Sequence, residues 1–280
     1  MSSILTNNGA MVALQTLQSI NKNLGQTQNE ISTGKSISSA KDNSAVWAIS
    51  KVMESDVAGL DAISESLALG ESTVAVASAG AEQIVETLKE MKQILVNGAT
   101  ENVSHDKIEA DLAEKQAQIE SVINASQFNG ANLLKTDVDG GGATSVSVVS
   151  SLDRIGTGAP TVSKIDVDTV DFETNLDVAG RTAVTDAATA ETALAEVEAF
   201  LTTAIDSAAA LGASAKRIES QGEFVGKLMD AMKSGIGSLV DADMEEASAR
   251  LQALQVQQQL ATQSLSIANQ APQAILSLFR

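Results

Sequence analysis

The side chains best able to do chemistry in this 280-residue chain are few and scattered. His105 is the only histidine, and there is no cysteine, which removes thiolate nucleophiles, thiolate metal sites and disulfides. An imidazole base needs a nucleophile beside it and a group to orient it; His105 instead follows Ser104, a residue suited to capping the start of a helix. Asp137-Val138-Asp139-Gly140 resembles the opening of a calcium loop. The bidentate glutamate that closes such a loop is missing, because Ser147 to Val149 occupy that stretch. Gly140-Gly141-Gly142 does not lie between a strand and a helix N-terminus, the context a phosphate loop requires. Asn102-Val103-Ser104 and Asn124-Ala125-Ser126 match the N-glycosylation triplet, and in a cysteine-free chain they read as chance matches. Met229 and Met232 fall on a helical apolar row, and Trp47 reads as a packing residue. No carboxylate pairs with a nucleophile or base, so the expectation is a protein with no catalytic residue, metal site or cofactor, whose work is done by surfaces.

Surfaces of that kind need long regular elements, and the sequence supplies them as rows of apolar residues in 3,4 alternation. The first row is read as Ala10, Leu14, Leu17, Asn21, Leu24, Gln28 and Ile31, with Asn21 and Gln28 as polar residues that fix register inside the seam. After Thr33-Gly34-Lys35 and a serine-rich stretch, a second row runs through Leu60, Ile63, Leu67, Gly70, Val74, Ala77, Ala81, Ile84, Leu88, Met91 and Leu95. At ~1.5 Å per residue this is roughly 50 Å of helix. A shorter helix from Ser104 carries Ile108, Leu112, Ile119 and Val122, and Asn129-Gly130 predicts a tight type I′ turn closing a small hairpin. From about Asp137 to Asp186 the helical period gives way to Gly, Ser and Thr clusters. Val146 to Val148 and Ile165 to Asp168 read there as strands of an acidic, solvent-facing insertion. Helical period returns from Leu194 through Val197, Leu201, Leu211, Ile218 and Val225 to Met232. The last row is Val240, Met244, Ala247, Leu251, Leu254, Gln258, Ala261, Leu265, Ala268, Pro272, Ile275 and Phe279.

These rows predict a mainly α fold: long antiparallel helices in a coiled-coil-like hairpin bundle, with a small β-hairpin and a short β-rich central insertion. The segments are 1–43 and 236–280 as terminal helices, 44–136 and 187–235 as the helices next to them, and 137–186 as the insertion. The two ends share an oddity. Residues 1–29 hold one charged side chain, Lys22, and residues 251–279 hold none, while both are rich in Gln, Asn, Ser and Thr. Such faces suit burial against other protein copies, where an unpaired charge is costly and an amide finds partners.

Composition narrows the partners. Thirty-six acidic against eighteen basic residues give a net charge of −18, which disfavours nucleic acid and anionic membrane surfaces. Amphipathic ends that insert into lipid would carry basic faces, and these do not. Aromatics make up only 2% of the chain and prolines number two, so the apolar content is mostly Ala, Leu, Val and Ile, a composition for close helix packing. The N-terminus lacks the basic start and apolar run of a cleaved signal peptide, so export is expected by another route.

Three motifs carry a family resemblance. Ser32-Thr33-Gly34-Lys35-Ser36-Ile37 with Ser39-Ala40-Lys41-Asp42-Asn43, Gln127-Phe128-Asn129-Gly130 with Leu133-Leu134, and Ala268-Asn269-Gln270-Ala271-Pro272-Gln273 followed by Ile275-Leu276-Ser277-Leu278-Phe279-Arg280 together resemble the bacterial flagellins. The resemblance implies an extracellular filament subunit that assembles with copies of itself, its terminal helices forming a coiled coil in an inner tube. The interface would run through Leu14, Leu17, Asn21, Leu24, Gln28, Ile31, Leu251, Leu254, Gln258, Ala261, Leu265, Ile275 and Phe279. It also implies a filament cap, hook-filament junction proteins, a cytoplasmic export chaperone at the C-terminal helix and the flagellar type III export apparatus as partners. The junction protein shares these terminal motifs and is the rival reading. Leu88 to Val96 departs from the Arg-rich version found in flagellins sensed by the innate Toll-like receptor, which implies weak recognition. Hydroxyls such as Thr157, Thr161 and Ser163 are the insertion's candidates for O-linked sugars.

Overall fold

The computed structural model describes residues 7–154 and 160–278, with side chains as far as residue 270. Its elements are α1 (Asn8–Thr33), α2 (Ser44–Gly98), α3 (His105–Ala125), β1 (Ser145–Asp153), β2 (Thr161–Asp168), α4 (Phe172–Asn175), α5 (Ala187–Val240) and α6 (Met244–Leu278). They form two compact units, Met1–Ser55 with Ala231–Arg280, and Asp56–Asp230. The sequence boundaries at 43/44 and 235/236 follow breaks in helical period. The units part within α2 and α5 instead, because an unbroken helix continues through each division.

The second unit owes its core to the long row on α2. All eleven of its positions from Leu60 to Leu95 are buried, with Val74, Ile84, Leu88, Met91 and Leu95 at 0% exposure. Two neighbours cover them. Helix α3 runs antiparallel to α2, as the ion pair of Lys115 with Glu90 and the contact of Ile108 with Gly98 show. Helix α5 returns antiparallel on another side, where Lys92 meets Glu198 at 2.6 Å and Ala190 approaches Gly98. Val197, Leu201, Ala204, Leu211, Ile218 and Val225 of α5 are buried in turn. Seams of Ala, Leu and Val let helices approach closely without aromatic bulk.

Asn129 and Gly130 both adopt positive φ, 49° and 84°, as the type I′ reading requires. The turn closes a single bridge, Phe128 to Ala131, with both N–H···O bonds at 2.9 Å, rather than extended strands. Beyond it Leu133 and Leu134 are fully buried, and Asn132 ties the segment to α3 by donating to the Ile123 carbonyl at 2.6 Å.

In the insertion the two stretches read as strands pair with each other: Val146 faces Val167 and Val148 faces Ile165 across the antiparallel β1–β2 ladder. One face differs from the solvent-facing expectation. Val148, Ile165 and Val167 are buried, and Val148 packs onto α2 at Gly70, whose missing side chain leaves the seat. Ser66 Oγ accepts from the Val149 N–H at 3.2 Å and Gln221 donates to the Ser150 carbonyl at 2.8 Å, fixing the hairpin on α2 and α5. The alternation of apolar and polar residues along the strands is therefore that of a half-buried sheet.

A polar knot secures the return into α5. Arg181, 8% exposed, makes a bidentate pair with Glu109 of α3 at 2.8 and 3.0 Å, and the Val184 N–H donates to the same carboxylate at 2.9 Å. Glu196 accepts from both the N–H and the hydroxyl of Thr182. Burial pushes the Glu109 carboxyl up, but the hydrogen bonds from Arg181 and Val184 and the guanidinium charge outweigh it and hold it below its ordinary value.

Two outcomes are expected. An added methyl in Gly80→Ala would overlap Ser126 Oγ and stand 2.9 Å from Leu134 Cδ1. Helix propensity favours alanine by about 1 kcal/mol and overpacking costs about 1–3 kcal/mol. A net loss of roughly 1–2 kcal/mol should appear as a lower urea midpoint at unchanged slope. Because the folded value of Glu109 lies below its unfolded one, its stabilisation is present above pH 4.5 and lost as pH falls through the folded value. Glu109→Gln should therefore melt lower at pH 7 and lose less on acidification than the parent, followed by circular dichroism in dilute solution.

Candidate functional site

Helices α1 and α6 pack against each other in the first unit. The pair is antiparallel: Asn7 donates to the Ala268 carbonyl and Gln258 Nε2 donates to Asn21 Oδ1, both at 2.7 Å, and Glu30 faces Arg250 at 4.0 Å. Its closed end is built from backbone. Gly34 takes the left-handed conformation, φ 70°, and its N–H caps α1 on the Glu30 carbonyl. Ala242 N–H then donates to the Gly34 carbonyl, and Ser36 N–H to that of Val240. Asp243 starts α6 by accepting from the N–H groups of Glu245 and Glu246, and Asn43 starts α2 by accepting from those of Ala45 and Val46.

The row assigned to α6 is shielded beyond its first member: Met244 is exposed, but Ala247, Leu254 and Ala261 are buried, and Leu251, Gln258, Leu265 and Ala268 are partly so. Ile275 and Phe279 lie outside the described side chains. The row assigned to α1 needs correction within the chain. Leu17, Leu24 and Ile31 face the seam, but Leu14 is 47% exposed and Asn21 and Gln28 are exposed too. Their places in the seam are taken by Ala13, Ile20 and Thr27, the last buried. Small Ala13 lets the backbones come close, and Asn21 reaches Gln258 from the flank of the seam rather than from inside it.

What this leaves open is the notable part. Met11, Val12 and Leu14 on α1 and Val256, Leu260 and Ile267 on α6 are 47–63% exposed. On α6 the last three share a second stripe at helical spacing, away from the seam. A helix with an inner stripe, an outer stripe and no charge between them is built to touch protein on more than one side.

Beside the pair lies a polar cleft of about 390 Å³ between α1 and the segment after it, with Lys22, Lys35 and Lys41 on its walls. Asp42 shapes it: its Oδ2 accepts from the N–H and hydroxyl of both Ser38 and Ser39, led by the Ser39 N–H, which holds the carboxyl below its ordinary range. Sequence reading did not find this cleft, although Lys22, the one charged residue in 1–29, was a signal for it.

Two of the side chains singled out in the sequence find local partners in the fold. His105 Nε2 contacts the Gly98 carbonyl at 3.0 Å, closing the end of α2. Asp137 spends its carboxylate on the N–H groups of Gly142, Gly140 and Asp139, at 2.8 to 3.2 Å, so the loop satisfies itself. Among the described residues no cluster of three metal-ligating side chains occurs, and no helix is long and apolar enough to cross a membrane.

Known proteins resemble this chain throughout its length. Residues 4–138 match the family described as the bacterial flagellin N-terminal helical region, and residues 188–279 match the bacterial flagellin C-terminal helical region. A flagellin of Brucella melitensis biotype 1 is 42% identical with all of both chains aligned, and flagellin FljK of Caulobacter vibrioides is 37% identical over all of this chain and 99% of its own. Among solved structures, a putative flagellar hook-associated protein from Vibrio parahaemolyticus superposes with a TM-score of 0.52 at 15% identity, over 71% of this chain and 100% of that one, a likeness of fold alone.

Deleting the amide bond across the seam should be measurable. In a double-mutant cycle of Asn21→Ala and Gln258→Ala, a coupling of about 0.5–1 kcal/mol is expected in thermal unfolding of the first unit, since the bond is solvent-facing. Additive effects would mean that the two amides do not act together.

Proposed function

The chain belongs to the bacterial flagellin family and is a structural subunit of the extracellular flagellar filament, and from that premise we propose that α1 and α6 complete their packing only when copies polymerise. The observation that carries this is the contrast between the two units. The α2 row of the second unit is sealed by its own neighbours, although Leu69, Val96, Ile205 and Phe224 stand exposed outside that row, whereas the charge-poor terminal pair leaves Met11, Val12, Leu14, Val256, Leu260 and Ile267 in solvent. Burying the exposed remainder of the three α6 side chains contributes roughly 3–5 kcal/mol, at about 1.5–3 kcal/mol per full side chain. Ordering a helical segment on assembly costs on the order of 2–5 kcal/mol, so the two nearly balance. Polymerisation then decides whether the ends are ordered.

In this reading Leu14, Asn21 and Gln28, exposed in the single chain, meet neighbouring copies, and Gln258 sets register within the pair. Leu251, Leu254, Ala261 and Leu265 hold α6 on α1, and Ile275 and Phe279 extend the interface. The chain leaves the cell through the flagellar type III apparatus, and an export chaperone covers α6 beforehand. A cap and the hook-filament junction proteins meet the ends of the polymer. Full-length likeness to flagellins disfavours the junction protein itself. Leu88 to Val96, the stretch that is Arg-rich in the receptor-sensed relatives, here includes Lys92 held by Glu198, in keeping with weak receptor recognition.

Limited proteolysis tests the coupling. The ends have few tryptic sites, so elastase is the suitable probe. Cuts within α1 and α6 should be fast in dispersed subunits and at least tenfold slower in seeded filaments, while cuts in α2 and α5 should be slow in both. Equal rates in α1 and α6 in the two states would refute folding coupled to assembly.

A further inference from the structure

We infer that the lysine-walled cleft beside α1 seats an acidic segment of a second copy of the chain. This rests on the filament reading above and adds a particular contact to it. The net charge of the chain is unevenly shared. The first unit holds seven acidic and seven basic residues and is neutral, whereas the second holds twenty-nine acidic and eleven basic, and so the entire −18. Against that background three of the seven basic residues of the first unit, Lys22, Lys35 and Lys41, converge on one cleft.

The carboxylates nearest to them are already engaged. Asp42 is taken up by Ser38 and Ser39, and Glu30 accepts from Gln26 Nε2 at 3.2 Å and faces Arg250. Lys35 pairs with Glu54 at 3.5 Å, and Glu54 is shared with Lys51. Among the described residues Lys22 and Lys41 have no ion-pair partner. Positive charge is left over, since three lysines face only the two carboxylates Glu30 and Asp42 on the walls, in a space wide enough for further carboxylate side chains.

The best source of carboxylates is the second unit of another copy. It is the one part of the chain with a large acidic excess, and steering between unlike patches gives specificity and register. The contact joins two different patches, so it is heterologous, the kind of contact from which an open helical polymer is built when the rotation between copies does not close a ring.

The test mixes unlabelled and 15N-labelled subunits, grows filaments from seeds, and couples amines to touching carboxylates with a zero-length carbodiimide. Mixed-isotope cross-links from Lys22 or Lys41 to Asp or Glu within residues 56–230 are expected, together with protection of both lysines from acetylation in the filament. Filaments in which these lysines cross-link only to Glu30, Asp42 or Glu54 of their own chain, or acetylate as fast as in dispersed subunits, would overturn the inference. In parallel, Lys22→Gln with Lys41→Gln should raise the critical concentration for growth about 3- to 10-fold, as expected for two partly screened ion pairs. Lys22→Arg with Lys41→Arg should restore it, and the helix content of the subunits should not change. An unchanged critical concentration in the glutamine variant also counts against the cleft. Failure of the parent chain to form any filament would refute the assembly reading itself, and with it this contact.

Discussion

Two helices cannot cover each other on all sides, and the organisation of this chain follows from that constraint. A helix paired with one partner can shield one stripe, as α6 does with Ala247, Leu254 and Ala261. A second apolar stripe, here Val256, Leu260 and Ile267, must stay in water or find another helix. The second unit meets the same demand internally, since α2 has α3, α5 and the β1–β2 hairpin around it. One chain thus contains a finished bundle and an unfinished one, and the unfinished one is where function resides.

Charge follows the same division. A finished unit needs a solvated surface, and the second unit carries all of the net −18. The repulsion keeps dispersed subunits apart, and on approach it acts mainly over distances shorter than a Debye length, about 8 Å at physiological salt. An unfinished unit that bore the same charge would have to desolvate it against like charge, at a cost of several kcal/mol per ion. Gln, Asn, Ser and Thr keep the terminal helices soluble while leaving nothing that assembly must neutralise. The few lysines kept there stand out for that reason.

Much of this was legible in the sequence, and the failures have identifiable causes. The α2 row could be read without error because a helix buried by several neighbours must be apolar at every seam position, and Leu60 to Leu95 are so or are Gly. In α1 two rows share Ala10, Leu17, Leu24 and Ile31 and differ in the residues between. Hydrophobic size favours Leu14 over Ala13, but the seam takes Ala13, a small residue that lets the helices pack closely, and takes apolar Ile20 in place of polar Asn21. The paired strands were evident from their alternation. Their buried face was not, because the seat that receives Val148 is the bare backbone at Gly70, 78 residues away in sequence.

The Arg181 knot was missed for a different reason. An arginine followed by threonines between a glycine and a helix has no periodicity, and the partners, Glu109 for Arg181 and Glu196 for Thr182, are separated from them in sequence. Yet it solves a problem that the pattern itself poses. The chain must re-enter the bundle after the insertion at a fixed point on α5, or the buried row from Val197 onward would slip against α2. Apolar seams of Ala and Leu tolerate such slips, since their residues are nearly interchangeable. A bidentate ion pair that also receives a backbone N–H does not, because a shift of one residue would leave a buried guanidinium without its carboxylate. The unfinished unit has a milder version of the same device in the Asn21–Gln258 bond, which is exposed and therefore weaker. Register is thus fixed firmly in the unit that must fold alone and lightly in the unit whose final packing includes its neighbours.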